Sequence, residues 1–362
     1  MKRILTTAAA LAAAASGANA GALDRSGQSI ASIFELGNYA ELSFGSISPS
    51  VEGTSAAGLG SRPSGDMAGD YLQLGLAMKM DLNDNLALGL IYDQPFGANV
   101  DYPAGTGYYA QGTVAELNTH ALTVLAKYRL PSNISLIGGL RYQTFAAEAN
   151  IPFVAGYSVI GDRDGAVGYV VGVAYEKPEI ALRVALTYNS SVKHSLDTSE
   201  VSVIPGPDSV TDIETPQSVN LEFQSGIAKD TLIFGSIRWV DWSEFVIDPA
   251  RYPPPQALVS YSGDYTTYTL GLGRRFNENW SGAVSIGYEK GLGGFSSNLG
   301  PSDGQRSIGV SAIYTVDNIK ITGGIRYVDI GNAQPTLDQT NPSASFTDNS
   351  GIAVGLKIGY TF

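Results

Sequence analysis

The chain has 362 residues with 22 Lys and Arg against 34 Asp and Glu, a formal charge of -12, and is 44% hydrophobic with 43 Gly, 20 Tyr and no Cys. The acidic balance and the lack of a basic stripe argue against nucleic acid as a partner. Without cysteine there are no thiol nucleophiles, thiolate metal sites or disulfides, and His120 and His194 alone are too few for a His-based metal centre, so no cofactor is expected.

Residues 1–20 read as a secretory signal peptide. Met1-Lys2-Arg3 is the positive start, Ile4 to Ala15 the short apolar run, and Ala18-Asn19-Ala20 the small-x-small cleavage site. No apolar run beyond residue 20 is long enough to cross a bilayer as a helix. Residues 21–37 lack strand alternation yet hold Leu23, Ile30, Ile33 and Phe34. These side chains suit a small plug, or hatch, folded back ahead of the first strand; a disordered periplasmic tail is the alternative.

From residue 38 onward two kinds of connection alternate. Short ones carry Asn, Asp or Pro, the residues tight turns favour: 82–85, 131–133, 177–178, 229–230, 277–279 and 316–318. Long Gly/Ser/Pro/Asp-rich stretches lie between them, near 48–68, 97–115, 148–164, 196–213, 247–263, 291–303 and 331–348. Thirteen connections make fourteen strands with both ends on the short-turn side. Several strands alternate cleanly, as in Leu72, Leu74, Leu76, Met78 and Met80 against Gln73, Gly75, Ala77 and Lys79. Leu122 to Tyr128, Leu182 to Asn189 and Ile319 to Tyr327 do the same, whereas 165–176 and 231–246 alternate poorly. The last strand is the clearest: Ile352, Val354, Leu356, Ile358, Tyr360 and Phe362 share one face, with Gly351, Ala353, Gly355, Lys357, Gly359 and Thr361 on the other. Charges keep to the non-oily face, and an Arg or Lys facing lipid at mid-depth would cost about 2–4 kcal/mol. The expected fold is all-β, a transmembrane antiparallel β-barrel of fourteen strands over 38–362, in the bacterial outer membrane, with oily faces outward and polar faces lining the lumen.

Particular strings then carry a resemblance. Thr215-Pro216-Gln217-Ser218-Val219-Asn220-Leu221, Lys229-Asp230 and Trp239-Val240-Asp241-Trp242-Ser243-Glu244-Phe245 follow one another as in the FadL/TodX family. Lys127 to Leu130, Gly138 to Tyr142, Pro95-Phe96-Gly97 and Phe276 to Trp280 extend the likeness over essentially the whole mature chain. The resemblance implies a fourteen-stranded barrel with an N-terminal hatch that passively admits hydrophobic molecules. Extracellular loops capture the substrate, an apolar pocket receives it, and it leaves sideways through a gap in the wall. Family members handle long-chain fatty acids or aromatic hydrocarbons, and fatty acids are the favoured substrate here. Two departures stand out: residues 21–37 are short and lack the Asn-Pro-Ala motif usual in that hatch, and loop 148–164 is short for a helical cap.

Register assigns Glu41, Lys79, Lys127, Arg141, Arg183, Glu222, Arg326 and Lys357 to the lumen. Most suit a packing network of salt bridges. Arg141 and Arg183 are the candidates to receive a substrate carboxylate, because a guanidinium binds one bidentately. Phe96, Tyr102, Phe153 and Tyr157 are candidates for the capture surface, with loop-on-loop packing as the other reading. Trp239, Trp242 and Trp280 suit an interface belt. No enzyme is expected: register turns His120 toward lipid, and His194 at a loop edge beside Ser195 is no triad. A general porin remains an alternative, and the expected partners are outer-membrane lipid and a hydrophobic small molecule, taken up by a monomer.

Overall fold

The computed structural model describes residues 23–362; the signal peptide expected over residues 1–20 lies outside them. Fourteen antiparallel strands close into one barrel. They are β1 (Tyr39–Ser50), β2 (Tyr71–Asp81), β3 (Leu86–Asp93 and Gly97–Asp101), β4 (Val114–Arg129), β5 (Ile134–Ile151), β6 (Tyr157–Lys177) and β7 (Leu182–Asn189 and Val192–Val201). The circuit continues with β8 (Ser209–Thr215 and Ser218–Ala228), β9 (Thr231–Val240), β10 (Tyr265–Arg275), β11 (Trp280–Glu289), β12 (Gln305–Val316), β13 (Ile319–Ile330) and β14 (Asn349–Thr361). Closure is the pairing of β1 with both β2 and β14, with Tyr39 opposite Thr361 and Ser50 opposite Ser350. Closure removes the free edge strands that an open sheet would present to lipid, where an unsatisfied backbone group would be costly.

The alternation sorts as the sequence suggests. Leu72, Leu74, Leu76, Met78 and Met80 of β2 and Ile352, Val354, Leu356, Ile358 and Tyr360 of β14 are exposed on the outer face. Their neighbours Ala77, Lys79, Ala353 and Lys357 are buried on the inner one. The long connection expected over 148–164 is mostly ladder instead: β5 and β6 pair from Ile151↔Tyr157 downward, leaving only 152–156 as a turn.

Three strands are interrupted, and each interruption switches which alternate residues face inward. In β3 the inward side passes from Ala87 and Ile91 to Val100 across Gln94-Pro95-Phe96. In β7 it passes from Arg183, Ala185 and Thr187 to Val192, His194 and Leu196 across Ser190-Ser191. In β8 it passes from Thr211, Ile213 and Thr215 to Ser218 and Asn220 across Pro216-Gln217. Proline supplies no N–H to a ladder, which accounts for two of the three breaks. A bulge between β5 and β6 near Gly161 to Asp164 has the same effect.

The two weakly alternating stretches have a packing cause. Val170 and Ala174 of β6 point inward and touch the segment inside the barrel, in one cluster with Ile30, Ile33, Leu125 and Ala185. Phe234 of β9 also points inward and packs against Ile313. β6 over this stretch and the start of β9 are apolar on two faces, so no period of two is visible there.

Candidate substrate passage

Residues 23–37 lie within the barrel. Leu23, Ile30, Ile33 and Phe34 are all buried, the last two in a one-turn 3-10 helix, Ala31–Phe34. Gly37, at φ +66, turns the segment into β1 with a backbone conformation that other residues rarely adopt. The inner wall is cut to receive it: a Cβ on Gly89 would stand 2.6 Å from Ile33 Cδ1. Phe34 is covered by two cations, with Lys127 Nζ and the Arg183 guanidinium each 4.7 Å from its ring centre.

Polar anchors hold the segment on opposite sides. Asp24 takes a two-pronged ion pair from Arg238 of β9, at 2.6 Å from Nε and 3.1 Å from Nη2. Arg238 also donates to Ser218 and Asn220 of β8 and to Gln28. Ser29 donates to Glu222 at 2.6 Å, and Glu35 accepts from Lys320 of β13 at 3.1 Å. Lys79 of β2 donates to the Gly37 carbonyl at 2.9 Å.

The wall is open beside this segment. β2 pairs with β1 up to Tyr71↔Ile47, but its ladder with β3 stops at Leu76↔Tyr92. Above that point Leu74 N–H turns to the side chain of Gln94, at 2.9 Å. Behind the break the inner segment acts as a substitute strand: Arg25 N–H donates to the Pro95 carbonyl at 2.8 Å and Gly97 N–H to the Leu23 carbonyl at 2.9 Å. The Arg25 guanidinium lies 4.0 Å from the ring centre of Tyr71 on β2 and donates to Asn99 on β3 at 2.8 Å. One cation therefore spans the two sides of the break.

Three neighbouring spaces, adjacent ones sharing wall residues, lie along the way to it. Above Leu23 is an apolar cavity bounded by Leu117, Val159, Leu196, Ile213 and Leu258. The mouth continues outward beneath Tyr252, Pro254, Phe153 and Phe295. On the other side of Leu23 a narrower space runs past Arg25, Tyr71 and Ile47. Below Ile47 lies a chamber bounded by Ser29, Ser32, Ser43 and Gly45. It reaches the lipid side at Phe44, Leu74, Leu76 and Tyr92.

The candidate residues are distributed around this route. Phe96 is buried at the β3 break, edge-on to Trp242 at 5.5 Å between ring centres. Tyr102 stacks on Tyr108 at 5.5 Å and donates to the Asn298 carbonyl. Tyr157 donates to Glu200 at 2.6 Å, and Phe153 packs edge-on to Tyr109 at 5.6 Å. Phe96, Tyr102 and Tyr157 thus offer no exposed capture surface; they tie loops and strands together, because an aromatic ring gains more by burial than by facing water. Of the four, only Phe153 borders the mouth. Burial pushes the Tyr102 and Tyr109 phenols up, so both act as neutral donors in the loop cap. Trp242 is also corrected: it is buried in the upper core, whereas Trp280 is exposed on the outer face against Tyr314.

Lumen charges are mostly paired. Lys357 meets Glu41 at 3.3 Å, Lys127 meets Glu176 at 3.5 Å, and Lys79 meets Asp81 at 2.5 Å. Arg141 is buried with its Nε on Thr123 at 2.9 Å. His194, expected at a loop edge, faces inward from β7 against Asp164 at 3.0 Å. The next residue, Ser195, donates to Asp212 on the outer side, so the two side chains lie on opposite faces. His120 shares the outer face with Tyr92, whose hydroxyl is 2.8 Å from its Nδ1. Arg238, Arg25 and Asp24 were not singled out in the sequence; the inward position of Arg238 was hidden in the weakly alternating β9.

Residues 6–290 match the model of the family described as Outer membrane protein transport protein (OMPP1/FadL/TodX). The chain belongs to the FadL/TodX family. It is thus an outer-membrane protein that transports hydrophobic compounds. Similar solved structures share its fold. A Pseudomonas aeruginosa FadL homologue superposes with a TM-score of 0.73 at 12% identity over 92% of each chain. The Pseudomonas putida toluene transporter TodX gives 0.66 at 12% over 90% of each. The Ralstonia pickettii toluene transporter TbuX gives 0.60 at 12%, again over 90% of each. No curated protein sequence matches the chain.

Proposed function

We propose that the chain is a passive diffusion channel for long-chain fatty acids with no catalytic step. Substrate enters beneath the extracellular loops, settles in the apolar cavity above Leu23, and leaves sideways between β2 and β3. The observation that supports this reading is the succession of three neighbouring spaces from the mouth to the wall break, the first two sharing Leu23 and the last two Ile47 in their walls, with residues 23–37 lying across the vertical route. A long apolar cavity favours a long tail: each buried CH₂ contributes roughly 0.8 kcal/mol. An open porin would need a free axial pore, which residues 23–37 obstruct.

An aromatic hydrocarbon is the second reading. Two of the similar structures are toluene transporters, and Tyr261, Tyr265 and Phe295 border the cavity. The test is uptake of labelled oleate and of toluene by cells lacking their own fatty-acid porter, with and without this chain, alongside single-channel conductance. Oleate uptake supports the first reading and toluene uptake alone the second. Steady ionic conductance with neither uptake would refute both.

A further inference from the structure

The chamber at the wall break holds a basic group with no ion-pair partner among the described residues. Arg326 of β13 points inward, level with Ala353 of β14 and Ile47 of β1. It is 6% exposed, and its Nε is buried without a hydrogen-bond partner. Among the described residues no carboxylate lies within ion-pair distance of it. Its neighbours across the ladder are Gly309 and Ala353, too small to cover it. An isolated buried cation is expensive, and such groups are normally paired.

Two of the three carboxylates bordering the chamber are in ion pairs, Glu35 with Lys320 and Glu41 with Lys357. Asp93 accepts from Ser26 through one oxygen, while its Oδ1 is buried without a partner. The two basic residues expected to receive a headgroup are placed differently. Arg141 donates to Thr123, and Arg183 lies against the ring of Phe34; neither borders the chamber. Arg326 does. At the far end of the same space are the outward-facing Phe44, Leu74 and Leu356. A polar inner end with one unpaired guanidinium and an apolar outer end match a single-chain amphiphile with an anionic head.

We propose that Arg326 is the headgroup station of the sideways exit, binding the carboxylate of a long-chain substrate while its tail passes the β2–β3 break. The inference rests on the transport reading above and adds the class of head it accepts. A guanidinium meets a carboxylate with two parallel hydrogen bonds, a geometry that a hydrocarbon or an alcohol cannot supply. The site therefore distinguishes acids from neutral molecules of equal length.

The test uses the full chain in phosphatidylcholine nanodiscs, with calorimetric titration of oleate and oleyl alcohol. Arg326→Gln and Arg326→Lys are compared with the parent after each is shown to be a folded, heat-modifiable barrel. Arg326→Gln should weaken oleate binding about tenfold or more and leave oleyl alcohol unchanged. Arg326→Lys, which keeps the charge, should restore most of the oleate affinity. Equal losses for both probes, or no loss for oleate, would overturn the headgroup assignment and leave the transport reading standing. Failure of the parent to bind either probe would overturn both.

Discussion

Removing the Asp24 carboxylate should loosen the hatch. Asp24 and Arg238 are 4% and 6% exposed, and their ion pair joins the start of the hatch to β9. Deleting one member of a buried pair leaves the other charge uncompensated, at a cost of about 3–5 kcal/mol. Here the guanidinium keeps Ser218, Asn220 and Gln28, so the lower end of that range applies. At 1.4 kcal/mol per factor of ten, the population of the displaced hatch should rise on the order of a hundredfold. The cysteine-free chain provides a clean assay. Ile30→Cys places one thiol at a hatch position that is 1% exposed and borders none of the three spaces, where a water-soluble maleimide reacts only when the hatch moves. Adding Asp24→Ala should accelerate labelling by that order, and adding Arg238→Ala as well should raise it less than the sum of the single effects. Labelling unchanged by Asp24→Ala would refute the pair as an anchor of the hatch.

Three further outcomes follow from specific contacts. Gly89→Val should speed the same labelling, since its Cβ would meet Ile33 Cδ1 at 2.6 Å, and Ile33→Ala should relieve the effect. Arg25→Ala removes the cation between Tyr71 and Asn99 and should raise the rate of oleate entry into vesicles carrying the protein, whereas slower entry would mean that Arg25 guides substrate. Phe96→Ala removes a ring packed edge-on to Trp242 and should destabilise the barrel by about 3–5 kcal/mol, read as a lower unfolding temperature with red-shifted tryptophan emission.

The barrel was legible because lipid imposes one rule on every spanning strand, visible in Leu72 to Met80 and in Ile352 to Phe362. What escaped lies where that rule is broken. Val170 and Phe234 are apolar on the inner face because each meets another apolar group there. His194 was misplaced because Ser190-Ser191 switches the inward parity of β7, which a strict period of two cannot follow. The aromatic residues of the loops were recognisable as a set, but exposure and mutual burial share one composition. Tyr102 and Tyr109 both reach Asn298, about 190 positions away in sequence, a pairing that only closure of the barrel brings about. Lumen charges could be placed by register; their partners could not, because Arg238 and Asp24 are separated by most of the chain.

The sideways exit is tested most directly by filling its chamber. Gly45 of β1 borders that space, and a Cβ there would meet its nearest atoms at 3.6 and 3.7 Å, so a larger residue enters without a clash at its base. Oleate uptake by cells carrying Gly45→Phe is compared with oleate binding by the purified variant. A sideways route predicts that uptake falls to the level of cells without the protein, while the purified variant keeps the weaker oleate binding of the upper cavity that Arg326→Gln also leaves. Undiminished uptake would contradict it.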